Sequence, residues 1–181
     1  FLYEHKHYST FRHSYFTFRM KAPLFVFRQL WKHQIGIDWT EDESFTGVGD
    51  IVLPSTSWNE ASGRYVEFEP EFYIPDVIRY QSKDNKQGSE GNANEVVTDF
   101  SPFGMPVREY FEEACLQAYR AYKNMVALGL AKEQMRLLLP QNIYSECILT
   151  VSLQALLYLW EMRDKKDAQW ESRQYAIASK E

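Results

Sequence analysis

Residues 12–21 alternate: Ser14, Phe16, Phe18 and Met20 fall on one side, with Tyr15, Thr17 and Arg19 on the other. Period two over this length specifies a half-buried strand. Ala22-Pro23 stops it, and Pro23 suits the opening of a helix. The pattern then switches to helical spacing over 24–34, where Leu24, Phe25, Phe27, Leu30 and Trp31 can pack inward. A strand handed directly to a helix recurs near the other end. Residues 145–151 read as a strand, and Ser152 can cap a very apolar helix over 153–162 that ends at Arg163. Whatever this chain folds into must pack two such strand–helix junctions together.

Between the junctions the order is irregular. Residues 37–56 form a long excursion with Glu41, Asp42, Glu43, Gly47 and Gly49, and with strand-like Ile51-Val52-Leu53. Residues 57–65 lack any helical or strand period and read as a polar loop. Residues 65–73 read as extended, ended by Pro75, and the polar stretch 81–99 reads as a flexible surface loop. Pro102 and Pro106 precede a helix over 107–128 with a stripe through Phe111, Cys115, Ala118, Tyr119, Tyr122 and Val126, and Gly129 is placed to cap it. A helix over 131–139 ends at Pro140, and Asp167 can cap a last helix starting at Ala168. Helices and strands mixed without regular alternation specify α+β, with a mixed or antiparallel sheet, in one domain over 1–181. There is no Gly-x-Gly-x-x-Gly, so a nucleotide would be held without a Rossmann turn or P-loop.

The formal charge of −5 excludes a general nucleic-acid binder. Functional cations must therefore be focused locally. Arg28, Gln29, Lys32 and His33 group along one side of the first helix, as a solvated face or a ligand-facing one. Aromatics at 16% fit a flat-ligand pocket, a subunit interface or an aromatic core. Cys115 and Cys147 lack zinc spacing and read as buried reduced thiols, which fits a cytoplasmic protein. No membrane span or signal peptide is visible. His5-x-His7 lacks a third ligand, so no metal site is expected. Phe1 is not Met and Glu181 falls inside a helical pattern, so trimmed ends are expected.

In the loop at 57–65, Gly63 allows close backbone approach and Arg64 offers a fork for phosphate or carboxylate. Taken with its neighbours, it resembles part of a family signature. Thr17-Phe18-Arg19-Met20-Lys21-Ala22-Pro23, running on to Gln29-Leu30-Trp31-Lys32-His33, is similar to the strand–helix unit of the flavin-dependent thymidylate synthases. Asn59-Glu60-Ala61-Ser62-Gly63-Arg64-Tyr65, followed by Glu71-Phe72-Tyr73-Ile74-Pro75, resembles their signature tail. Arg136-Leu137-Leu138-Leu139-Pro140, Arg163 with Ala168-Gln169-Trp170-Glu171, and His7-Tyr8-Ser9 with His13 follow in the family's order.

The resemblance implies conversion of dUMP to dTMP, with methylenetetrahydrofolate as carbon donor, NADPH as reductant and FAD as cofactor. It implies a cytoplasmic homotetramer (host cytoplasm, if phage-encoded) with FAD and dUMP held between subunits. By position, Gln29, Lys32, Glu60, Ala61, Ser62, Gly63 and Arg64 would hold dUMP, with Arg136 from a neighbouring subunit. Arg163 and Ser62 would be the catalytic pair, Arg163 stabilising charge on the pyrimidine and Ser62 positioning. His7, Ser9, Lys32, His33, Gln34, Ile35, Ser152, Gln154 and Tyr158 would face FAD.

The chain departs from the family pattern mainly on the FAD side. Lys32-His33-Gln34 replaces Arg-His-Arg, which removes two guanidinium forks. Arg12 stands where Glu is frequent, and Ser152, Gln154 and Tyr158 replace Asn, Arg and Asn. The segment at 37–56 splits the signature and is expected to act as a mobile flap or interface element. A homologue that binds dUMP but has lost flavin is the alternative reading.

Overall fold

The computed structural model describes residues 1–33, 56–99 and 104–181. Gln34, Ile35, Pro102 and the excursion at 37–55 lie outside the described residues. In chain order the elements are β1 (Tyr15–Pro23), α1 (Leu24–Leu30), β2 (Thr56–Glu60), β3 (Tyr80–Gln81), β4 (Ser89–Glu90), β5 (Val97–Thr98), β6 (Met105–Pro106), α2 (Val107–Ala127), α3 (Lys132–Met135), β7 (Tyr144–Ser152), α4 (Leu153–Arg163) and α5 (Trp170–Ala178). Short 3-10 turns cover Tyr8–Arg12 and Arg136–Leu138. The class is α+β.

The two strand–helix junctions pair with each other. β1 runs antiparallel to β7 along its whole length, from Tyr15 opposite Ser152 to Pro23 opposite Tyr144. The third strand is β2, on the other edge of β7, giving the order β1-β7-β2. On one face Thr17 meets Thr150 at 3.0 Å and Arg19 reaches Glu146 at 2.7 Å. The other face carries the core, where Cys147, Leu149 and Val151 alternate inward against Val26, Phe27 and Leu30 of α1 and Ala155, Leu156 and Leu159 of α4. Cys115 and Cys147 are free and buried.

The segment at 57–60 was expected as loop and is an edge strand. Its sequence is polar, but Trp58 enters the core beside Phe27 and Trp31, with ring centroids 6.4 and 6.1 Å away. One aromatic anchor and a vacant edge of β7 outweigh low strand propensity. Residues 65–73 make no continuous strand. They touch the sheet through the bridge of Phe72 to Ile143 and the Tyr73 N–H to Asn142 C=O bond, 2.8 Å. The polar stretch at 81–99 is a surface excursion carrying the ribbon β3–β4 and the strand β5, which pairs with β6.

Helix ends differ where tertiary contacts take over. α1 stops at Leu30 rather than continuing to 34, because the Trp31 and His33 N–H groups close a turn on Phe27 and Leu30. α2 ends as expected. Gly129 takes φ +83, its N–H bonds Val126 C=O, and Leu130 N–H bonds Met125 C=O, a Schellman arrangement. The helix expected over 131–139 divides into α3 and the 3-10 turn. α5 begins at Trp170 with Gln169 at its N-cap, so Asp167 does not cap it.

Ser152 does cap α4, its Oγ accepting the Ala155 N–H at 3.2 Å while fully buried. Ser152→Ala is expected to lose about 1 kcal/mol of stability, read as a lower urea midpoint at unchanged slope.

Candidate functional site

Arg163 is the last residue of α4, and its Nε donates to His33 Nε2 at 2.6 Å. His33 reaches it because the turn after α1 swings the imidazole inward, where 8% of its surface remains exposed. The Tyr158 ring lies beside it, centroids 5.9 Å apart. Burial and then the Arg163 charge push the imidazole from an ordinary 6.5 down to about 4. His33 is therefore neutral at physiological pH. Its Nε2 accepts from Arg163, which assigns the proton to Nδ1, and Nδ1 is buried with no partner among the described residues. Because the unfolded chain takes up this proton first, His33 favours folding above about 6.5, and that contribution falls away toward about 4.

Arg163 and Gln29 of α1 open onto a cleft of about 1430 Å³. Phe25, Tyr73, Phe111 and Trp170 give it flat apolar walls, and the β3–β4 ribbon forms a polar side. No carboxylate pairs with Arg163 among the described residues, so its charge is available to the cleft. The wall at α5 is fixed differently. Buried Glu171 accepts from Tyr73 Oη at 3.2 Å and from Arg79 Nη2 at 2.9 Å. Burial, then Glu171, raises the Tyr73 phenol above its ordinary range. The Arg79 guanidinium also lies 6.0 Å from the Trp170 ring. This tie joins the segment after Tyr73 to α5.

The signature loop lies on a different cavity. Past β2, Ala61 N–H continues the pairing to Glu146 C=O, and Ser62 C=O then accepts from both Tyr65 and Val66 N–H. Ser62 Oγ accepts Arg64 N–H at 3.4 Å. Ala61, Ser62 and Gly63 line a pocket of about 330 Å³ with Phe68 and Ser145. Arg64 extends outward to Glu133 at 3.4 Å, and Arg136 Nε bonds the Glu133 carbonyl at 3.2 Å. Glu60 is half-buried on the inner face of β2. Burial raises its carboxyl, while the charges of Arg136 and Arg28 pull the other way.

The expected site residues thus fall into separate groups. Gln29 and Arg163 line the large cleft, with His33 bonded to Arg163 and Tyr158 beside His33. Glu60, Ser62, Gly63, Arg64 and Arg136 converge around the loop, with Ala61 exposed at its start. Lys32 is exposed beyond α1. On the expected FAD side, Ser152 serves as the α4 cap, and Gln154 accepts from Arg12 Nε at 2.7 Å. His7 and Ser9 are exposed at the start of the Tyr8–Arg12 turn, which packs against α4. Gln34 and Ile35 lie outside the described residues.

Two features escaped sequence reasoning. Arg28 was visible only as part of a polar cluster, yet its charge acts on Glu60. The Tyr73–Glu171–Arg79 tie joins residues 92 and 98 positions apart, which no local pattern signals. Among the described residues, no group of three or more His, Cys, Asp or Glu is arranged to hold a metal ion. No helix among them is long and apolar enough to cross a membrane.

A family model described as thymidylate synthase complementing protein matches residues 1–181. Proteins named flavin-dependent thymidylate synthase from Kosmotoga olearia and Thermus thermophilus are 36% and 35% identical, each over 178 residues and 98% of this chain. The chain spans 66% of the first relative's length and 55% of the second's. The UMP/dUMP methylase PolB from Streptomyces cacaoi, solved with 5-Br dUMP, is similar in structure, with a TM-score of 0.72 at 27% identity. That likeness covers 98% of this chain and 69% of PolB.

Proposed function

The chain belongs to the thymidylate synthase complementing protein family, the flavin-dependent thymidylate synthases, and from that premise we propose that it methylates dUMP reductively to dTMP. Methylenetetrahydrofolate would supply the carbon, NADPH the reducing equivalents and FAD the hydride chemistry when bound. One observation carries the reading. Gln29 and Arg163, distant in sequence and both expected to hold dUMP, meet on one cleft, where no carboxylate among the described residues pairs with Arg163.

Arg163 holds the pyrimidine and stabilises negative charge developing on the ring as C5 attacks, the role a fixed cation plays best in a water-poor site. Gln29 orients the base from α1. Ser62, Gly63 and Arg64 with Arg136 hold the phosphate, through loop N–H groups and guanidinium forks. Gln29 and Arg163 line the large cleft, Ser62 and Gly63 line the smaller one, and Arg64 and Arg136 lie outside both. We read the complete site as assembled between subunits, with Arg136 supplied by a neighbouring one. That arrangement, in a homotetramer, is supported by apolar groups exposed beside the two arginines: Tyr65 at 76%, Val66 at 62% and Leu137 at 82%. We read residues 1–181 as one domain of a cytoplasmic enzyme.

The residues fit FAD at one corner. The buried, unpartnered Nδ1–H of His33 beside Tyr158 suits an acceptor on the edge of a flat heteroaromatic ring. His7 and Ser9 are open to a ligand. Ser152 and Gln154 are committed internally, and that favours, as a second reading, a dUMP-binding homologue without flavin. Absorption spectra and calorimetry separate the two. The enzyme reading expects bound oxidised flavin and dTMP formation from dUMP. Colourless protein that binds dUMP, and stays inactive with excess FAD, leaves only the second.

A further inference from the structure

We propose that His33 is the positioning residue for Arg163: its Nε2 lone pair takes the Arg163 Nε–H, so that the two terminal amino groups of the guanidinium are the ones presented to the pyrimidine. This rests on the reading of Arg163 as the pyrimidine's cation.

An arginine at the end of a helix has four side-chain torsions and many orientations. Here one of its five N–H donors is fixed at 2.6 Å by an acceptor that is itself buried. The fork that remains faces the cleft, with no carboxylate to divert it among the described residues. A carboxylate in place of His33 would hold the guanidinium more tightly but would cancel its charge. A neutral imidazole orients the cation and leaves the charge for the ligand. The ring stays neutral because burial and Arg163 itself disfavour its protonation. Tyr158 packs against the ring and restrains its plane. Fixing Nε2 in this way leaves Nδ1–H as the donor pointing elsewhere, so one side chain serves two directions.

Two substitutions separate positioning from packing. Gln can present a carbonyl near the Nε2 position, whereas Leu keeps bulk without an acceptor. In His33→Leu, dUMP affinity measured by calorimetry is expected to fall about 10- to 100-fold, the loss of one hydrogen bond of a charged group. His33→Gln should recover most of it. In an Arg163→Ala background, His33→Leu should cost nothing further. A purely packing role predicts that Leu is tolerated at least as well as Gln. A role confined to flavin predicts unchanged dUMP affinity with equal loss of FAD in both variants. Either result overturns the proposal, as does full additivity with Arg163→Ala.

An NMR readout is independent of any ligand. The Arg163 Nε–H resonance, assigned by its loss in Arg163→Ala, should be protected from exchange in the wild type and in His33→Gln, and lost in His33→Leu. An Nε–H indifferent to both changes overturns the proposal even if dUMP binds. If the wild type binds no dUMP, the proposed function fails, while this spectrum still decides the contact.

Discussion

Arg163→Ala is expected to lower kcat/KM for dUMP by about 100- to 1,000-fold, the usual cost of removing one preorganised charge-stabilising group. Stability should fall by about 1–3 kcal/mol, since the buried His33 Nε2 is left without its donor while no ion pair is lost. Arg163→Lys should recover little. An ammonium cannot donate to His33 and present a planar fork at the same time. Initial rates of dTMP formation, with melting curves on the same preparations, provide the measurement. A loss below tenfold would remove Arg163 from the chemistry. A collapse in melting temperature would instead show that the contact with His33 holds α4 to α1.

Gly63→Ala should damage folding and phosphate binding together. A Cβ at Gly63 would fall on the edge of the Phe68 ring. The Phe68 backbone is held here, its carbonyl accepting the Tyr119 hydroxyl of α2 at 3.0 Å. Overpacking of this kind costs about 1–3 kcal/mol. The strain is relieved most easily by opening the turn in which Ser62 C=O holds the Tyr65 and Val66 N–H groups. That would turn Arg64 away, so dUMP affinity should fall at least about tenfold. Urea titration and calorimetry of one preparation read both effects. Normal dUMP affinity in a destabilised variant would place the phosphate elsewhere.

The two junctions at Pro23 and Ser152 were legible because alternation, proline and a capping hydroxyl all act within a few residues. The Gly129 cap was legible for the same reason. β2 was not, since only the pairing with β7 and the burial of Trp58 make a strand of Ser57–Asn59. His33 was read as one of a row on a helix face. The turn after Leu30 breaks that row, burying His33 and leaving Lys32 exposed. Arg163 and the loop were found through their resemblance to a family, not through any local period. Arg136 was expected from a neighbouring subunit. Within this chain its charge acts on Glu60, as does that of Arg28, the residue before Gln29.

Among the described residues, the central strand of the three-stranded sheet is also the last of the three to leave the ribosome. β1 and β2 share no ladder; each waits for β7, and contacts such as Thr17 with Thr150 close over 133 residues. Long-range closure of this kind is slow. During synthesis, β1 therefore has a vacant edge for most of the chain's length. A nascent strand with Tyr15, Phe16 and Phe18 and no partner is open to wrong pairing. The strand that completes the core also ends that exposure, so yield in the cell should depend on how quickly β7 is delivered.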